Sequence, residues 1–278
     1  MRNVLRDPDY QSHFARHGWV KVPFLSTHEV QSLDRSFSSI ASRFGQGWNA
    51  TILMDDTELR AISAEMIRPV FAPRIREVLQ DYTPFSHNFI TKGSSEESIL
   101  KYHTHSSFVD ETMGFVTVSV FCPLVDTDLI NGNLRVVSGT HRLPRFPRPL
   151  QADYDPYKDY WRLFEERSEA VPTKIGEAII FDNMLIHGSP PNRSPNMRVV
   201  ASTVANPREA ESILYFLDED GKLSVCPFDE DYLIRNNIMT SRPIEVRERI
   251  NFSPVDDLGP QIYEVLGLEY LPITLKHT

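Results

Sequence analysis

The chain has 278 residues, enough to bury a substantial core, and its 41% hydrophobic, 24% charged and 10% aromatic residues are the balance of an ordinary globular protein. A formal net charge of -9 argues against nucleic-acid binding, which needs a basic face to neutralise phosphates, while leaving the sign of any one cleft open. Two cysteines, no apolar run of membrane-spanning length and an N-terminus without a signal-peptide core point to a cytoplasmic protein with reduced thiols and no membrane partner.

Helices are expected first. Ser26 followed three positions later by Glu29 is a capping box. Val30, Leu33, Phe37, Ile40, Ala41 and Phe44 then recur at steps of three and four, which predicts a helix with one apolar face over about 26–44. A second helical stretch, about 58–82, contains Pro69 and Pro73 and is expected to kink or split there. From about Phe85 the pattern changes. "FSHNFITKG", "GFVTVSVFCPLV", "NLRVVSG", "EAIIFD", "RVVASTVA" and "SILYFL" are short, β-branched or aromatic, and mostly bounded by turn residues. No regular helices separate them. This predicts one α+β domain over 1–278, a β-sandwich or barrel buttressed by N-terminal helices, rather than a wound parallel sheet. Residues 141–172 interrupt the strands. They open with "HRLPRFPRP", carrying Arg142, Arg145 and Arg148, and continue through an aromatic and acidic stretch with a short helix near 160–167. An insert of that length is either a lid or a surface excursion, and the arginine run either meets an acidic substrate or is solvated. Residues 236–278 form a C-terminal extension that packs on the core or on a partner, so the oligomeric state stays open.

Two segments carry candidate chemistry. If "YHTHS" is extended, His103 and His105 share one face of the strand, and two imidazoles so placed suit a single metal ion. By itself His-x-His is a weak motif, equally read as two histidines on a polar strand end. The second segment is "IGEAIIFDNMLIHGSPPNRSPNMRVV". An apolar strand leads to His187, then Ser189, then a proline-rich turn, and Arg198 opens the next strand. The Arg198 guanidinium is a planar fork suited to gripping a carboxylate. Read singly, these are a loop histidine and a surface arginine.

Together the segments resemble the phytanoyl-CoA dioxygenase family of Fe(II)/2-oxoglutarate-dependent oxygenases. The resemblance runs from about Tyr10 to Tyr232: "GWVKVPFLSTHEVQSL" at the start, "CPLVDTDLINGNLRVVSGTH" at the centre and "HGSPPNRSPNMR" at the end. It implies a double-stranded β-helix (a cupin-like jelly roll) as the core. It also implies Fe(II), 2-oxoglutarate as cosubstrate and O2, with His103 and His187 as iron ligands and Ser189 and Arg198 on the distal carboxylate of 2-oxoglutarate. Phe121 falls where the family often has a tryptophan against the cosubstrate.

One departure stands out. The family writes its first motif His-x-Asp, and here the carboxylate position is His105. The "FVDE" that follows is found beside the motif in relatives that keep their aspartate. Asp110 and Glu111 are therefore expected to support the site rather than ligate, with substitution by Asp110 left open. Three histidines can hold one face of Fe(II) and leave three positions free, but such a site carries one more positive charge and also suits copper, nickel or zinc. Of the remaining candidates, Lys92 either faces an anion or is a solvated strand end, and His87 and His141 are expected to be structural. The expectation is an oxygenase that hydroxylates, desaturates or cyclises a small organic substrate at His103, His105 and His187. Its rivals are a metal enzyme with altered chemistry and a binding or regulatory protein without turnover. The substrate is not legible, because fold does not determine it.

Overall fold

The computed structural model describes residues 2–150, 155–253 and 258–270. In chain order its elements are α1 (Pro8–His17), β1 (Trp19–Pro23), α2 (Thr27–Ser38), β2 (Trp48–Ala50), α3 (Thr57–Val78), β3 (Tyr82–Lys92), β4 (Leu100–His103), β5 (Val118–Pro123), β6 (Arg135–Val136), α4 (Trp161–Arg167), β7 (Glu169–Ala170), β8 (Glu177–Asp182), β9 (His187–Ser189), β10 (Arg198–Pro207), β11 (Ile213–Leu217), β12 (Lys222–Pro227), α5 (Glu230–Arg235), β13 (Glu248–Asn251) and α6 (Gly259–Val265). Three sheets result: a six-stranded sheet in the order β1-β8-β5-β10-β3-β2, a four-stranded sheet β4-β9-β6-β7, and a three-stranded sheet β11-β12-β13. All their pairings are antiparallel.

Side-chain alternation divides the six-stranded sheet into two faces. On β5, Val118, Val120 and Cys122 join the cluster formed with the N-terminal helices, as do Ala178 and Ile180 on β8 and Val199 and Ala201 on β10. The intervening residues Phe121, Ile179, Phe181 and Val200 face the other way and pack with Leu134, Val136 and Val171 beside the four-stranded sheet. A one-residue slip in register would exchange these faces. This is the α+β jelly-roll core, with helices covering its outer face.

The capping box forms as expected: the Ser26 backbone N–H donates to Glu29 Oε2 at 2.8 Å and Ser26 Oγ accepts the Glu29 backbone N–H. Such a cap stabilises a helix by about 1 kcal/mol. α2 ends at Ser38, however, and the rest of the predicted helix becomes a single tight turn at Ala41–Arg43 that still buries Ile40 and Phe44. The second helix also differs from expectation. Helix α3 runs unbroken from Thr57 to Val78 through both prolines. Its Leu59, Ile67, Phe71 and Ile75 are fully buried, and that packing outweighs two missing backbone donors. Residues 79–81 belong to the turn into β3, and Tyr82 is the first residue of that strand.

The 141–172 segment is integrated into the fold over its described part, residues 151–154 lying outside it. Leu143, Tyr157, Tyr160 and Phe164 pack with Met184 and Ile186. In the C-terminal extension, Ile238 enters the cluster of Phe85, Phe108 and Leu150, and Leu258 and Ile262 pack against the insert's aromatic residues. Ile238, Leu258 and Ile262 of the extension thus pack on the core, whereas Ile244 is fully exposed.

Candidate metal centre

Strands β4 and β9 pair antiparallel with His103 opposite His187, and His105 lies two residues beyond the end of β4. The three imidazoles converge. Their candidate ligand atoms all lie within 4.8 Å of one another, with ring centroids 4.4 Å apart for His103 and His187, 4.8 Å for His105 and His187, and 5.5 Å for His103 and His105.

Hydrogen bonds fix the tautomers. His103 Nδ1 donates to the Lys101 carbonyl at 2.8 Å and His187 Nδ1 to the Leu185 carbonyl at 2.9 Å. Ser119 Oγ donates to Asn183 Oδ1 at 2.8 Å, and so it accepts from His105 Nδ1 at 3.2 Å. In all three rings Nε2 is left as the free lone pair. Burial is the main cause holding the pKa of each below the ordinary histidine value, His105 at about 3 and His187 well below it. The rings are therefore neutral at pH 7, which is the form that ligates.

His105 is braced most heavily. Its backbone N–H donates to the Asn183 carbonyl at 2.9 Å, and its carbonyl accepts from Arg148 Nε at 2.7 Å. The two remaining Arg148 nitrogens meet both oxygens of Glu111 at 2.7 Å. Arg145 bridges Glu111 and Asp182. The arginine run is thus divided: Arg145 and Arg148 are neutralised internally and not free to meet an acidic substrate, whereas Arg142 is exposed and turns back to the Gly139 carbonyl. Glu111 supports the site, as the sequence led one to expect. Asp110 does not replace the missing carboxylate, because it caps a short turn by accepting the Thr112 N–H at 3.0 Å and lies outside the histidine cluster.

The histidines open onto a cavity of about 440 Å³ with a mostly apolar lining that includes Phe121, Ser189 and Arg198. Arg198 follows the inward parity of Val200, Ser202 and Val204 along β10. It is only 2% exposed, and its guanidinium carbon lies 5.7 Å from the centre of the Phe121 ring. It donates to the Gly132 carbonyl, and its Nε has no partner. No carboxylate among the described residues pairs with it, and burial alone lowers its pKa to about 9. Gly132 is needed where it stands: its φ is +76°, and a Cβ there would lie 2.5 Å from the Pro190 carbonyl oxygen.

Lys92 is Arg198's register partner on β3. The solvated-strand-end reading of Lys92 is wrong, since the side chain is fully buried. Its amine donates to the Ser189 and Pro190 carbonyls, and burial together with the Arg198 charge lowers its pKa to about 6. A buried guanidinium without an anion, beside a second buried amine, is the environment that a carboxylate ligand would complete. His87 and His141 are structural. His87 Nδ1 donates to Thr203 Oγ1. His141 bonds the Ala15 carbonyl at 3.2 Å and fills the space left by Gly18, where a Cβ would lie 2.5 Å from His141 Nδ1.

Several of these groups carry little signal in sequence. Ser119 shares the inward parity of Phe121 and Lys92 that of Asn88 and Ile90, so alternation gives the face of each but not its partner. Asn183 and the Glu111–Arg148 pair have no local pattern.

Comparison with known proteins agrees with this architecture. Among solved structures, the non-heme alpha-ketoglutarate-dependent carbocyclase SnoK from nogalamycin biosynthesis superimposes with a TM-score of 0.56 at 18% identity, over 74% of this chain and 86% of that one. HygX from Streptomyces hygroscopicus, solved with nickel and 2-oxoglutarate bound, gives a TM-score of 0.54 at 14% identity, over 73% and 88%. HygX with nickel, 2-oxoglutarate and hygromycin B gives 0.52 at 16% identity, over 73% and 88%. At these identities the likeness is one of fold. No curated protein sequence matches. No helix among the described residues is long and apolar enough to cross a membrane. The family model for phytanoyl-CoA dioxygenase matches residues 14–200 of the 278, and the chain therefore belongs to the phytanoyl-CoA dioxygenase family of iron- and 2-oxoglutarate-dependent enzymes.

Proposed function

We propose that this chain oxidises a small organic substrate at a three-histidine Fe(II) centre, with His103, His105 and His187 as ligands and 2-oxoglutarate as cosubstrate. One observation carries the reading: a single cavity contains three neutral imidazoles with free Nε2 atoms and a buried, anion-less Arg198. Donor set and charge fit the group. Three nitrogen donors suit Fe(II) and leave coordination positions open, and Arg198 with Ser189 suits the distal carboxylate of the cosubstrate. When bound, iron with 2-oxoglutarate and O2 supplies the oxidising power for hydroxylation, desaturation or ring closure.

The protein's own residues do the rest. Arg198 and Ser189 orient the cosubstrate, and Phe121 walls its carbon chain. Lys92 holds the Ser189 and Pro190 carbonyls and so fixes the turn after β9. The insert over 141–172 closes one side of the cavity through Arg148, Leu150 and Tyr157, which keeps water from the reacting atoms.

The test is anaerobic. Fe(II) and then 2-oxoglutarate are added to metal-free protein while the visible charge-transfer band of the chelate is recorded. The band is expected in the wild type and weakened in both His105→Ala and Arg198→Ala. In parallel, 2-oxoglutarate is expected to raise the melting temperature of the wild type and not of Arg198→Met. A missing band with tight binding of another metal would favour altered metal chemistry. A missing band with no metal bound would favour a binding protein on this scaffold.

A further inference from the structure

Among the described residues, the histidine and charged side chains that line the cavity are the three histidines, Arg148, Arg198 and Asp155. Each has an assigned counterpart except the last. The histidines are the proposed metal donors, Arg148 is neutralised by both oxygens of Glu111, and Arg198 awaits the cosubstrate carboxylate. Asp155 stands in the insert, half-buried, next to Pro156 and Tyr157 of the cavity wall. Its Oδ1 accepts the Tyr157 backbone N–H at 2.9 Å. No arginine or lysine among the described residues pairs with it. It lines the same cavity as His103, His105 and His187.

We propose that Asp155 anchors a cationic nitrogen of the substrate, so that this chain acts on an amine-bearing small molecule. The inference rests on the oxygenase reading of the cavity and adds the substrate class to it. A partly desolvated carboxylate is stabilised by a charge-assisted hydrogen bond from an ammonium group. The apolar body of such a substrate would lie along Phe108, Leu150, Phe181 and Ile238, which line the same cavity. The cavity thus offers both signs: Arg198 suits the dianionic cosubstrate and Asp155 a cation. A substrate carboxylate brought to Asp155 would be repelled, which makes the selection two-sided.

The test uses three probes of one shape: cyclohexylmethylamine, cyclohexylmethanol and cyclohexanecarboxylate. Their binding to protein loaded with Fe(II) and 2-oxoglutarate under anaerobic conditions is measured by saturation-transfer NMR and calorimetry. The amine is expected to bind at least tenfold more tightly than the alcohol, and the carboxylate most weakly. Asp155→Asn keeps the size of the side chain and its bond to the Tyr157 N–H. It should remove the advantage of the amine and leave alcohol binding unchanged. Equal binding of amine and alcohol by the wild type overturns the proposal, as does an amine preference that survives Asp155→Asn, or failure of all three probes at millimolar concentration. If Asp155→Asn instead lowers Fe(II) affinity, the carboxylate is a metal ligand and the proposal falls. The charge-transfer band reports the metal and cosubstrate independently. Its absence refutes the oxygenase reading, and the amine-to-alcohol ratio, repeated on metal-free protein, still reports Asp155.

Discussion

The sequence resemblance implies that His105 stands where the family carries its carboxylate ligand, and the structure has surroundings suited to an imidazole there. An aspartate needs hydrogen-bond donors around it, whereas a neutral histidine ligand needs an acceptor at its second ring nitrogen. Ser119 Oγ is that acceptor, and its own proton is committed to Asn183 Oδ1. Ser119→Ala removes the acceptor and frees the ring to rotate. We expect a 10- to 100-fold loss of metal affinity, the range typical of such outer partners. Co(II) titration of metal-free protein, followed by visible absorption, measures it. Unchanged affinity would mean that the Arg148 and Asn183 bonds to the His105 backbone are sufficient. The three converging histidines were legible, because two imidazoles two apart and the His, Ser, Arg spacing are local patterns. Their supports were not. Ser119 and Asn183 lie 14 and 78 residues from His105 in sequence and meet it only through the pairing of β5 with β8 and the loop that follows β8.

At the scale of elements, the strands with strong alternation or continuous β-branched runs were legible: β5, β8 and β11 lie within segments read from sequence, while β3 starts three residues before its segment and β10 ends two residues after its own. The short strands that build the site were less so. Strands β4 and β9 have four and three residues, too few for periodicity, and their pairing is set by contacts distant in the chain. The insert was legible as an insert, but Arg145 and Arg148 were misread because their partners lie elsewhere: Glu111 precedes the insert and Asp182 follows it. Glu111 and Arg148 side chains are 2% and 6% exposed, so this is a buried pair. Removing one partner leaves an uncompensated buried charge, which costs about 3–5 kcal/mol. Glu111→Leu should therefore lower stability by roughly that amount and loosen the loop that carries His105. The double variant Glu111→Leu/Arg148→Met should recover much of the loss, since apolar replacement of a whole buried pair is often neutral. A double-mutant cycle by chemical denaturation measures both. Simple additivity of the two losses would show that the pair is not coupled, with Arg145 neutralising Glu111 alone.

Across the whole molecule, the net charge of -9 conceals an interior that buries basic groups without a paired anion, and this governs how stability should vary with pH. The pKa of Lys92 is about 6 in the folded protein, against about 10.4 in an unfolded chain. The unfolded state therefore binds more protons between those values. Stability must rise with pH across that window, by up to about 1.4 kcal/mol per pH unit for each proton taken up on unfolding. The contribution is complete above the unfolded value and is lost as pH falls through the folded one. The buried histidines add a second, more acidic window of the same sign. His87 titrates at about 3, His105 at about 3 and His141 at about 4. All are neutral when folded at pH 5 and charged when unfolded, so metal-free protein should weaken steeply below about pH 6.5. Asp182 opposes this trend, because burial raises its carboxyl pKa, and a raised acid stabilises the folded state as pH falls. Denaturation midpoints of metal-free protein at pH 5, 7 and 9 should rise in that order. Lys92→Met should flatten the step from pH 7 to 9 and leave the step from 5 to 7 largely intact. Saturating Fe(II) with 2-oxoglutarate should also flatten the upper step, since a bound dianion near Arg198 restores the Lys92 charge. Parallel curves for wild type and Lys92→Met would show that the lysine remains protonated in the fold. The anion that neutralises Arg198 would then have to neutralise a second full charge beside it.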